Sequence, residues 1–352
     1  MIDANQLVVL VDGSSYLFRA FHGLPPLTNA EGHPTGALHG VIKMLTKLYD
    51  DYQPAYFGVV FDAKGKTFRH DLYSAYKANR PKMPEELACQ IKPLHQLIEA
   101  LGFALIIEQG VEADDVIGTL AARALKEHYQ VVISSGDKDM AQLLTHADIT
   151  LLDTMKNAIT SHTNIAQRFK VDQLRADQVI DFLALVGDTS DNIPGIDKVG
   201  PKTAAKWLQQ YDNIDTLIDN ASKISGKIGD NLRNNLDTLK LSRTLATIKC
   251  DLPLTHTIAD LALQPPKPPQ TRTTLQHLRT KQHQISPPQP HPQRPPPQNP
   301  ASPKHPKCNI TPSPTQPNSP PSSPNLKKPN ASASTPKPPH STTNKPNSLA
   351  SA

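Results

Sequence analysis

Short apolar runs alternate with amphipathic stretches through the first 155 residues of the chain. The runs are rich in β-branched residues, which is typical of buried parallel strands. They lie at 7–11, 56–61, 105–107, 131–133 and 149–152. The stretches between them predict helices at 36–52, 84–101 and 113–128. This alternation predicts an α/β domain on a parallel sheet.

After about residue 160 the strand pattern stops, and short helical patterns follow. The predicted helices lie at 175–186, 201–211, 213–220 and 227–248, with Gly, Pro and Asn turns between them. We therefore predict an α/β domain over 1–172 and a smaller all-helical domain over 173–263.

Composition changes abruptly at Gln264. The segment 264–352 holds 25 of the 35 prolines and 11 basic residues, and it has no acidic, aromatic or glycine residue. Such a segment cannot bury enough apolar surface to offset its chain entropy, so we predict that it is disordered. Residues 1–263 keep 26 basic and all 32 acidic residues. The folded part is therefore acidic, although the chain as a whole carries +5.

Several classes of protein are excluded at this stage. No apolar run approaches the ~18–20 residues of a membrane span, and the N-terminus lacks the basic start of a secretory signal. Cys89, Cys250 and Cys308 have neither metal-site nor disulfide spacing. We expect a cytoplasmic protein with no membrane partner.

Three aspartates stand just beyond predicted strands, namely Asp12, Asp62 and Asp137. In an open α/β sheet the crevice beyond the carboxyl ends of the strands binds ligands, so these side chains should converge there. Further acids cluster at 112–115, 137–139 and 188–191. Acids three positions apart share a helix face, so the outer acids of the first and third clusters should point together.

Nine carboxylates are thus candidates for one crevice. They are Asp12, Asp62, Glu112, Asp114, Asp115, Asp137, Asp139, Asp188 and Asp191. They would repel one another unless cations neutralised them. Oxygen ligands suit Mg²⁺ or Mn²⁺ rather than zinc, and two such ions can activate water and stabilise the leaving oxygen of a phosphodiester.

Each acid taken singly has another explanation as a helix cap or a turn residue. Asp114 and Asp115, at the start of a predicted helix, would also be ordinary N-terminal acids. Three strand-end acids together with three acidic clusters are harder to explain in that way. The set therefore indicates a metal site more strongly than any member does.

A basic segment with interleaved aromatics runs from Ala63 to Met83. Its cations, Lys66 and Arg69 among them, would hold phosphates, and its aromatic faces would stack on bases. The alternative is a solvated loop whose aromatics pack on the sheet. That alternative is reasonable for Phe68 and Leu72, and poor for 76–80.

A glycine- and proline-rich turn at 192–205 contains Lys198, Gly200, Pro201, Lys202 and Thr203. Proline opens a helix here, and the backbone N–H groups at a helix start form an anion site. The turn resembles the helix–hairpin–helix module, which grips the nucleic-acid backbone. A plain packing corner between two helices would also use Gly and Pro, but the accompanying lysines favour phosphate binding.

Taken in order, these motifs resemble the 5′-nuclease (flap endonuclease) superfamily, and above all the 5′–3′ exonuclease domain of bacterial DNA polymerase I. The resemblance covers about residues 5–263. It is carried by Val11-Asp12-Gly13-Ser14-Ser15, Phe61-Asp62, Tyr76-Lys77-Ala78-Asn79-Arg80-Pro81, Glu112-Ala113-Asp114-Asp115, Gly136-Asp137-Lys138-Asp139 and Gly187-Asp188-Thr189-Ser190-Asp191.

The resemblance implies a PIN-like (resolvase-like) α/β nuclease domain with a helical arch at about 63–84, then a helical three-turn (H3TH) DNA-binding domain. The nine acids match metal ligands, some of them binding through water. Lys77 and Arg80 match residues that steer the scissile phosphate, and Tyr76 matches an aromatic on which a terminal base stacks. Residues matched to DNA contacts are Arg19, Lys66, Arg69, Lys198, Gly200, Lys202 and Thr203.

The implied function is a 5′–3′ exonuclease and flap endonuclease that uses two Mg²⁺ (or Mn²⁺), with a monovalent cation at the hairpin. Its partners would be DNA with 5′ ends or flaps and RNA–DNA primers, and the protein would be a monomer at the nucleoid. The alternative is a DNA-structure-binding module without catalysis, but such a module should have lost crevice acids, and none is missing. PIN-type ribonucleases, the nearest enzymatic rival, lack the arch and the hairpin.

The segment 264–352 departs from this resemblance, because a polymerase I would continue into proofreading-like and polymerase domains. We hypothesise that the segment is an out-of-frame translation of a truncated polymerase gene. A genuine basic linker that clings to DNA is the alternative. The gene sequence decides between them, since only the first requires a polymerase sequence in another reading frame.

Overall fold

The computed structural model describes residues 4–267, so almost all of the predicted tail lies outside the described residues. Its centre is a six-stranded sheet of order β3-β2-β1-β4-β5-β6. The strands are β1 Leu7–Asp12, β2 Tyr56–Asp62, β3 Ala104–Glu108, β4 Gln130–Ser134, β5 Ile149–Asp153 and β6 Ala158–Thr160. The first five run parallel, and β6 pairs antiparallel with β5.

Eleven helices complete the described part of the chain. They are α1 Gly13–Gly23, α2 Gly36–Tyr52, α3 Phe68–Leu72, α4 Glu85–Ala100, α5 Ala113–Lys126, α6 Ile165–Phe169, α7 Val179–Val186, α8 Pro201–Tyr211, α9 Ile214–Asp219, α10 Gly226–Asn234 and α11 Leu236–Ala246. Short 3₁₀ turns occur at Ala4–Gln6, Asp139–Leu143, Ala176–Gln178, Ala221–Lys223 and Ala259–Leu261.

Alternate residues of β1 point to opposite faces of the sheet, as the two-residue strand period requires. Leu7, Val9 and Val11 pack with α1, α2 and α4. Val8 and Leu10 pack with α5, and that cluster continues without a break into the helices after residue 174. The sheet is therefore buried on both faces, and the helical region shares one of its two cores.

The α/β class, the parallel sheet and the helical second region are confirmed. Observed strands lie within two residues of the predicted ones, and α2 and α8 have the predicted bounds. The predicted helix at 227–248 is wrong, because Asn235 (φ −127°, ψ 28°) ends α10 and precedes α11. The sequence pattern did not predict α1, α6 or the short antiparallel strand β6.

The arch expected at about 63–84 contains only one short helix, α3, followed by turns. Lys77 takes a left-handed backbone conformation (φ 55°), which a right-handed helix cannot contain. Arg80 precedes Pro81, and the residue before a proline is biased away from helical geometry. In this conformation the segment lies against the sheet domain as a folded loop.

Beyond α11 the chain returns to the sheet domain. Leu261 is fully buried and lies against Gly58 of β2, and Ala262 forms a backbone bridge with Tyr56. The amide of Gln264 then donates to the Gly102 carbonyl at 2.9 Å. Gln264–Lys267, which the sequence analysis assigned to the tail, therefore continue this return segment. Across the described residues, no helix is long and apolar enough to cross a membrane.

Candidate active site

The crevice at the carboxyl end of the sheet is organised around Asp12, the last residue of β1. Asp12 caps α1, since its side chain accepts a hydrogen bond from the amide of Ser15 at 2.8 Å. Its second oxygen accepts from the hydroxyl of Ser135, beyond β4, at 2.7 Å. Burial, with repulsion from Asp62 and Asp137, raises the pKa of Asp12 to about 7.

Asp62 ends the neighbouring strand, β2, and is exposed. Its carboxylate accepts a hydrogen bond from the amide of Ala113 at 2.9 Å, which fixes the start of α5 beside it. Asp114 follows on α5. Burial, then repulsion from Asp137, Asp12 and Asp62, raises its pKa well above the ordinary value. Asp12, Asp62 and Asp137, which follow three strands, therefore lie near enough to Asp114 on α5 to raise its pKa.

The loop 136–139 carries two of the acids. Asp137 is exposed, and its side chain accepts a hydrogen bond from the Asp139 amide at 2.9 Å. One carboxylate oxygen of Asp139 is buried and accepts no hydrogen bond from any of the described residues. Burial, then Asp137, raises the pKa of Asp139 well above its ordinary value.

Two arginine side chains, those of Arg19 and Arg168, lie against this loop. A Cβ on Gly136 would lie 1.8 Å from the guanidinium of Arg19, so a larger residue there would displace the end of that side chain. Arg168, on α6, donates to the carbonyls of Gly136 and Asp137 at 3.2 and 2.6 Å. Arg168 was missed by the sequence analysis, because its short helix carries no recognisable motif.

Asp188 and Asp191 lie together on a tight loop rather than on the helix face that their spacing suggested. The amide and carbonyl of Asp188 pair with those of Ile193 at 2.9 and 2.8 Å. Gly187 has φ 77°, and a Cβ there would lie 2.5 Å from the amide nitrogen of Gly195. The loop therefore requires glycine at its start.

Asp188 is paired with Lys138, whose ammonium lies 2.8 Å away. Burial opposes ionisation, but hydrogen bonds from Lys138 and Ser190 hold the pKa of Asp188 below its ordinary value. This carboxylate is therefore ionised without a metal.

Lys77 and Arg80 reach into the crevice from the segment above it. The Lys77 ammonium lies 2.6 Å from a Glu112 oxygen and 3.5 Å from an Asp191 oxygen. Burial would lower the pKa of Lys77, but these carboxylates raise it. Arg80 pairs with the other oxygen of Asp191. Both residues lie among the acids, where a phosphate would also have to enter.

Tyr76 does not offer a stacking surface in this conformation. It is 3% exposed, and its hydroxyl donates to Glu112 and Asp191 at 3.0 and 3.1 Å. The ring of His70 lies edge-on at 5.4 Å. A base could reach the ring only after Tyr76 leaves this position.

Arg69 and Asp115 depart from the roles expected for them. Arg69 is 2% exposed and cannot face DNA, because its donors bind Asp115 and two backbone carbonyls. Asp115 is fully buried, and each of its oxygens already accepts two hydrogen bonds. This geometry leaves Asp115 no lone pair for a metal ion.

Among the remaining candidates for DNA contact, Arg19 is only 14% exposed and lies 3.6 Å from Asp153, and the others lie on the surface. Lys66 is exposed in the loop before α3, and Lys198 and Lys202 are exposed around the start of α8. Gly200 caps that helix, Pro201 is its first residue, and Thr203 is half-buried in its first turn. The turn 195–200, with Val186, surrounds a shallow depression of about 430 Å³. Whether these residues touch DNA stays a prediction.

The acids suit a hard cation by donor type, by the raised pKa values of Asp12, Asp114 and Asp139, and by the unpaired buried oxygen of Asp139. In the described part of the chain, however, no three of them converge closely enough to hold one ion as they stand. Lys77, Arg80 and Lys138 occupy Glu112, Asp191 and Asp188 instead. The crevice is thus neutralised in part by the protein's own basic side chains.

Two family models match the chain. Residues 7–171 match the 5′-3′ exonuclease N-terminal resolvase-like domain, and residues 174–269 match the 5′-3′ exonuclease C-terminal SAM fold. A 5′-3′ exonuclease of Buchnera aphidicola subsp. Acyrthosiphon pisum is 35% identical over 268 residues, which cover 74% of this chain and 92% of that protein.

DNA polymerase I of Pseudomonas aeruginosa is 48% identical over 255 residues, 70% of this chain. The match spans only 28% of that polymerase. Among solved structures, a T5 5′-exonuclease with bound zinc ions superposes with a TM-score of 0.60 at 22% identity, covering 78% of this chain and 100% of that one. A T5 flap endonuclease in complex with DNA and metal ions gives 0.59 at 23% identity, covering 77% and 99%. These two structures share the fold.

Proposed function

The chain belongs to the 5′–3′ exonuclease family and is a nuclease, and we propose that it hydrolyses phosphodiester bonds near 5′ ends and 5′ flaps of DNA. The single observation that carries this proposal is the crevice itself. Carboxylates from β1, β2, α5 and two loops face one another, and Lys77 and Arg80 enter from above.

Divalent cations, two Mg²⁺ or Mn²⁺, complete the site in this proposal. The ligands of these cations on one side of the crevice would be Asp12, Asp62, Asp114 and Asp137. Those on the other side would be Glu112, Asp139, Asp188 and Asp191. When bound, the ions supply charge neutralisation and activation of the attacking water. The T5 structures, which contain metal ions, support this extension. Asp115 is left out, because its oxygens are already filled.

Lys77 and Arg80 bind the scissile phosphate. Their ammonium and guanidinium groups pair with carboxylates that cations would otherwise neutralise. Once those carboxylates have cations of their own, the two side chains can turn to the phosphate oxygens. There they stabilise the negative charge that develops as a water oxygen replaces the ester oxygen on phosphorus.

The two regions divide the work between them. Residues 1–172 carry most of the crevice, and residues 173–263 add Asp188 and Asp191 and hold the duplex through Lys198, Gly200, Lys202 and Thr203, with a monovalent cation at the turn. Backbone N–H groups at the start of α8 and the neighbouring lysines suit a phosphate backbone without reading its sequence. Lys66 and Arg19 extend this contact, and RNA–DNA primers are substrates too. We place the protein, as a monomer, with the DNA of the cytoplasm.

A cleavage assay tests this proposal. A 5′-labelled flap duplex is incubated with the full chain and Mg²⁺, beside an EDTA control and an Asp62→Asn variant. Asp62 is the better choice than Asp115, because it is exposed and its loss does not leave a buried arginine unpaired. Cutting near the flap junction that needs both metal and Asp62 supports the proposal. Tight flap binding without cutting supports the non-catalytic binding module instead.

A further inference from the structure

Arg69 and Asp115 form the most deeply buried ion pair of the described chain. Their contact is bidentate, with guanidinium nitrogens 2.7 and 2.8 Å from the two carboxylate oxygens. The side chains are 2% and 0% exposed. Asp115 also accepts hydrogen bonds from the backbone amides of Glu112 at 3.1 Å and Lys249 at 2.9 Å.

The guanidinium joins three separate parts of the chain. Arg69 belongs to α3, at the base of the segment that carries Lys77 and Arg80. Its remaining donors bind the carbonyls of Leu245 and Thr247 at 2.9 and 2.7 Å, at the carboxyl end of α11. That end of a helix carries partial negative charge, which suits a cation. Through Asp115 the same group is fixed to the start of α5, next to Asp114.

The helix α11 connects this pair to the second group of acids. Ser242, fully buried on α11, donates to the carbonyl of Pro194 in the loop that carries Asp188 and Asp191. The carboxyl end of α11 is therefore connected through Arg69 and Asp115 to the start of α5, next to the sheet-side acids Asp12, Asp62 and Asp114, and its middle supports the loop of Asp188 and Asp191.

From this arrangement we propose that Arg69 and Asp115 are positioning residues. Together they form a clamp that sets the spacing between the sheet-side acids and the Asp188–Asp191 loop, and holds the base of the Lys77 segment over both. The inference rests on the proposed nuclease function, and it replaces the metal-ligand role expected for Asp115. It also gives Arg69 a role inside the protein instead of at the DNA surface.

Stability alone does not account for the clamp. Burying two charges costs free energy that their attraction barely offsets, and apolar residues of similar volume often stabilise a core as well or better. A bidentate pair with additional backbone partners does something that apolar packing cannot, because its hydrogen bonds fix direction as well as distance. Direction is what a site assembled from distant segments requires.

The test compares Asp115→Asn, Arg69→Lys and the double variant in the full chain, with Asp181→Asn as the matched control. Asp181 is also a buried carboxylate paired with an arginine, Arg243 at 2.9 Å, but it does not touch the Lys77 segment. For each protein we would measure the unfolding midpoint, Mn²⁺ affinity, hydrogen exchange at Lys249, and kcat and KM on a flap duplex. All assays run below the lowest unfolding midpoint.

We expect Asp115→Asn and Arg69→Lys each to lower kcat about 100-fold, as a displacement of about 1 Å in a reacting site does, with KM within a few-fold. Both should weaken Mn²⁺ binding and speed exchange of the Lys249 amide. The double variant should be no worse than either single one, because the two residues act as a unit. Asp181→Asn, which also breaks a buried carboxylate–arginine pair, should leave kcat within a few-fold.

Two results would overturn the clamp. In the first, Asp181→Asn loses as much kcat as Asp115→Asn, which would make the loss a general effect of destabilisation. In the second, Arg69→Lys keeps its kcat and Mn²⁺ affinity while Asp115→Asn loses both, which would make Asp115 a metal ligand.

Two further measurements keep the test decisive. If Asp115→Asn does not fold, Arg69→Lys and Ser242→Ala carry the comparison, with about a 10-fold loss of kcat expected for Ser242→Ala and no loss counting against the clamp. If the wild-type chain binds the flap but does not cut it, the proposed function fails by itself. Mn²⁺ affinity and Lys249 exchange would still judge the clamp.

Discussion

The ammonium of Lys77 lies 2.6 Å from a carboxylate oxygen of Glu112, inside the crevice where a metal and a phosphate are expected. The same nitrogen lies 3.5 Å from Asp191. Lys77 therefore holds two carboxylates that cations would claim, and in doing so is itself held away from a substrate. Metal binding and release of Lys77 are linked, because both draw on the same negative charge.

Replacing Lys77 should separate the two effects. In Lys77→Met, single-turnover flap cleavage should fall about 100-fold or more, since one charged donor to the phosphate is lost. Calorimetric titration should at the same time show tighter Mg²⁺ binding, because Glu112 loses its bound cation. Lys64→Met, an exposed lysine of the same segment, serves as the control and should change neither quantity. Unchanged Mg²⁺ affinity in Lys77→Met would contradict the linkage.

The substitution Asp114→Asn should have opposite effects on cleavage activity and on the stability of the metal-free protein. Its pKa is raised by burial and by four neighbouring carboxylates, so the ionised side chain destabilises the metal-free fold. Asp114→Asn should therefore raise the free energy of unfolding without metal by about 1 kcal/mol, while reducing cleavage at least about 100-fold. Denaturant unfolding in EDTA and the flap assay in Mg²⁺ measure the two effects. Lower stability of Asp114→Asn than of the wild type in EDTA would contradict a raised pKa for Asp114.

The raised pKa of Asp12, about 7, predicts how the metal-free protein responds to pH. Because the folded chain binds this proton more tightly than the unfolded chain, stability is greatest at low pH and is lost as pH rises from about 4 to about 7. Asp12 alone should contribute a slope of at most about 1.4 kcal/mol per pH unit. Asp114 and Asp139 act in the same direction.

Denaturant unfolding at a series of pH values in EDTA measures this slope. His95, whose pKa is lowered by burial, acts in the opposite direction, so the quantity to compare is wild type minus Asp12→Asn. Saturating Mg²⁺ should reverse the trend, because protons compete with the metal. Equal slopes in wild type and Asp12→Asn would exclude Asp12 as the source.

The turn before α8 predicts a change in salt dependence. Lys202 is exposed in the first turn of that helix and stands beside the proposed phosphate site. Lys202→Ala should raise the Kd of a duplex and lower the slope of log Kd against log salt by about 1, since one phosphate contact is lost. Binding titrations between low and moderate salt check this. Lys223→Ala, on a different surface turn, should leave the slope unchanged.

Much of the fold followed from local pattern. Apolar runs determined the strands, and the acids at their ends had to meet because parallel strands finish at one edge. The sequence did not predict where the side chains of Arg69, Asp115 and Tyr76 point. Their orientations depend on hydrogen-bond partners more than 100 residues away, namely Leu245, Thr247, Lys249 and Asp191. The break at Asn235 was hidden for another reason, since the amphipathic pattern continues through it.

A substitution at Gly102 tests whether Gln264, just beyond the change of composition, is held against the sheet domain. It has φ 91°, and a Cβ there would lie 1.9 Å from the carbonyl oxygen of Gln264. Gly102→Ala should therefore displace Gln264–Lys267 and cost about 1–3 kcal/mol of stability, with flap cleavage by the folded protein nearly unchanged. Gly110→Ala, also at positive φ but with open space around it, separates the backbone effect from the clash. Equal losses in the two variants would mean that Gln264 is not held against Gly102.

The return of the chain to the sheet makes the helical region an insertion between two anchors rather than an appendage on one hinge. The segment enters from the sheet domain near residue 161 and leaves through Ile248, which lies against Gly118, and Leu261, which lies beneath β2. Because it is anchored at both ends, the helical region cannot move away from the sheet domain unless the buried segment around Leu261 detaches. The two anchors therefore restrict hinge motion between the helical region and the sheet domain, which keeps the Asp188–Asp191 loop close to the acids at the strand ends.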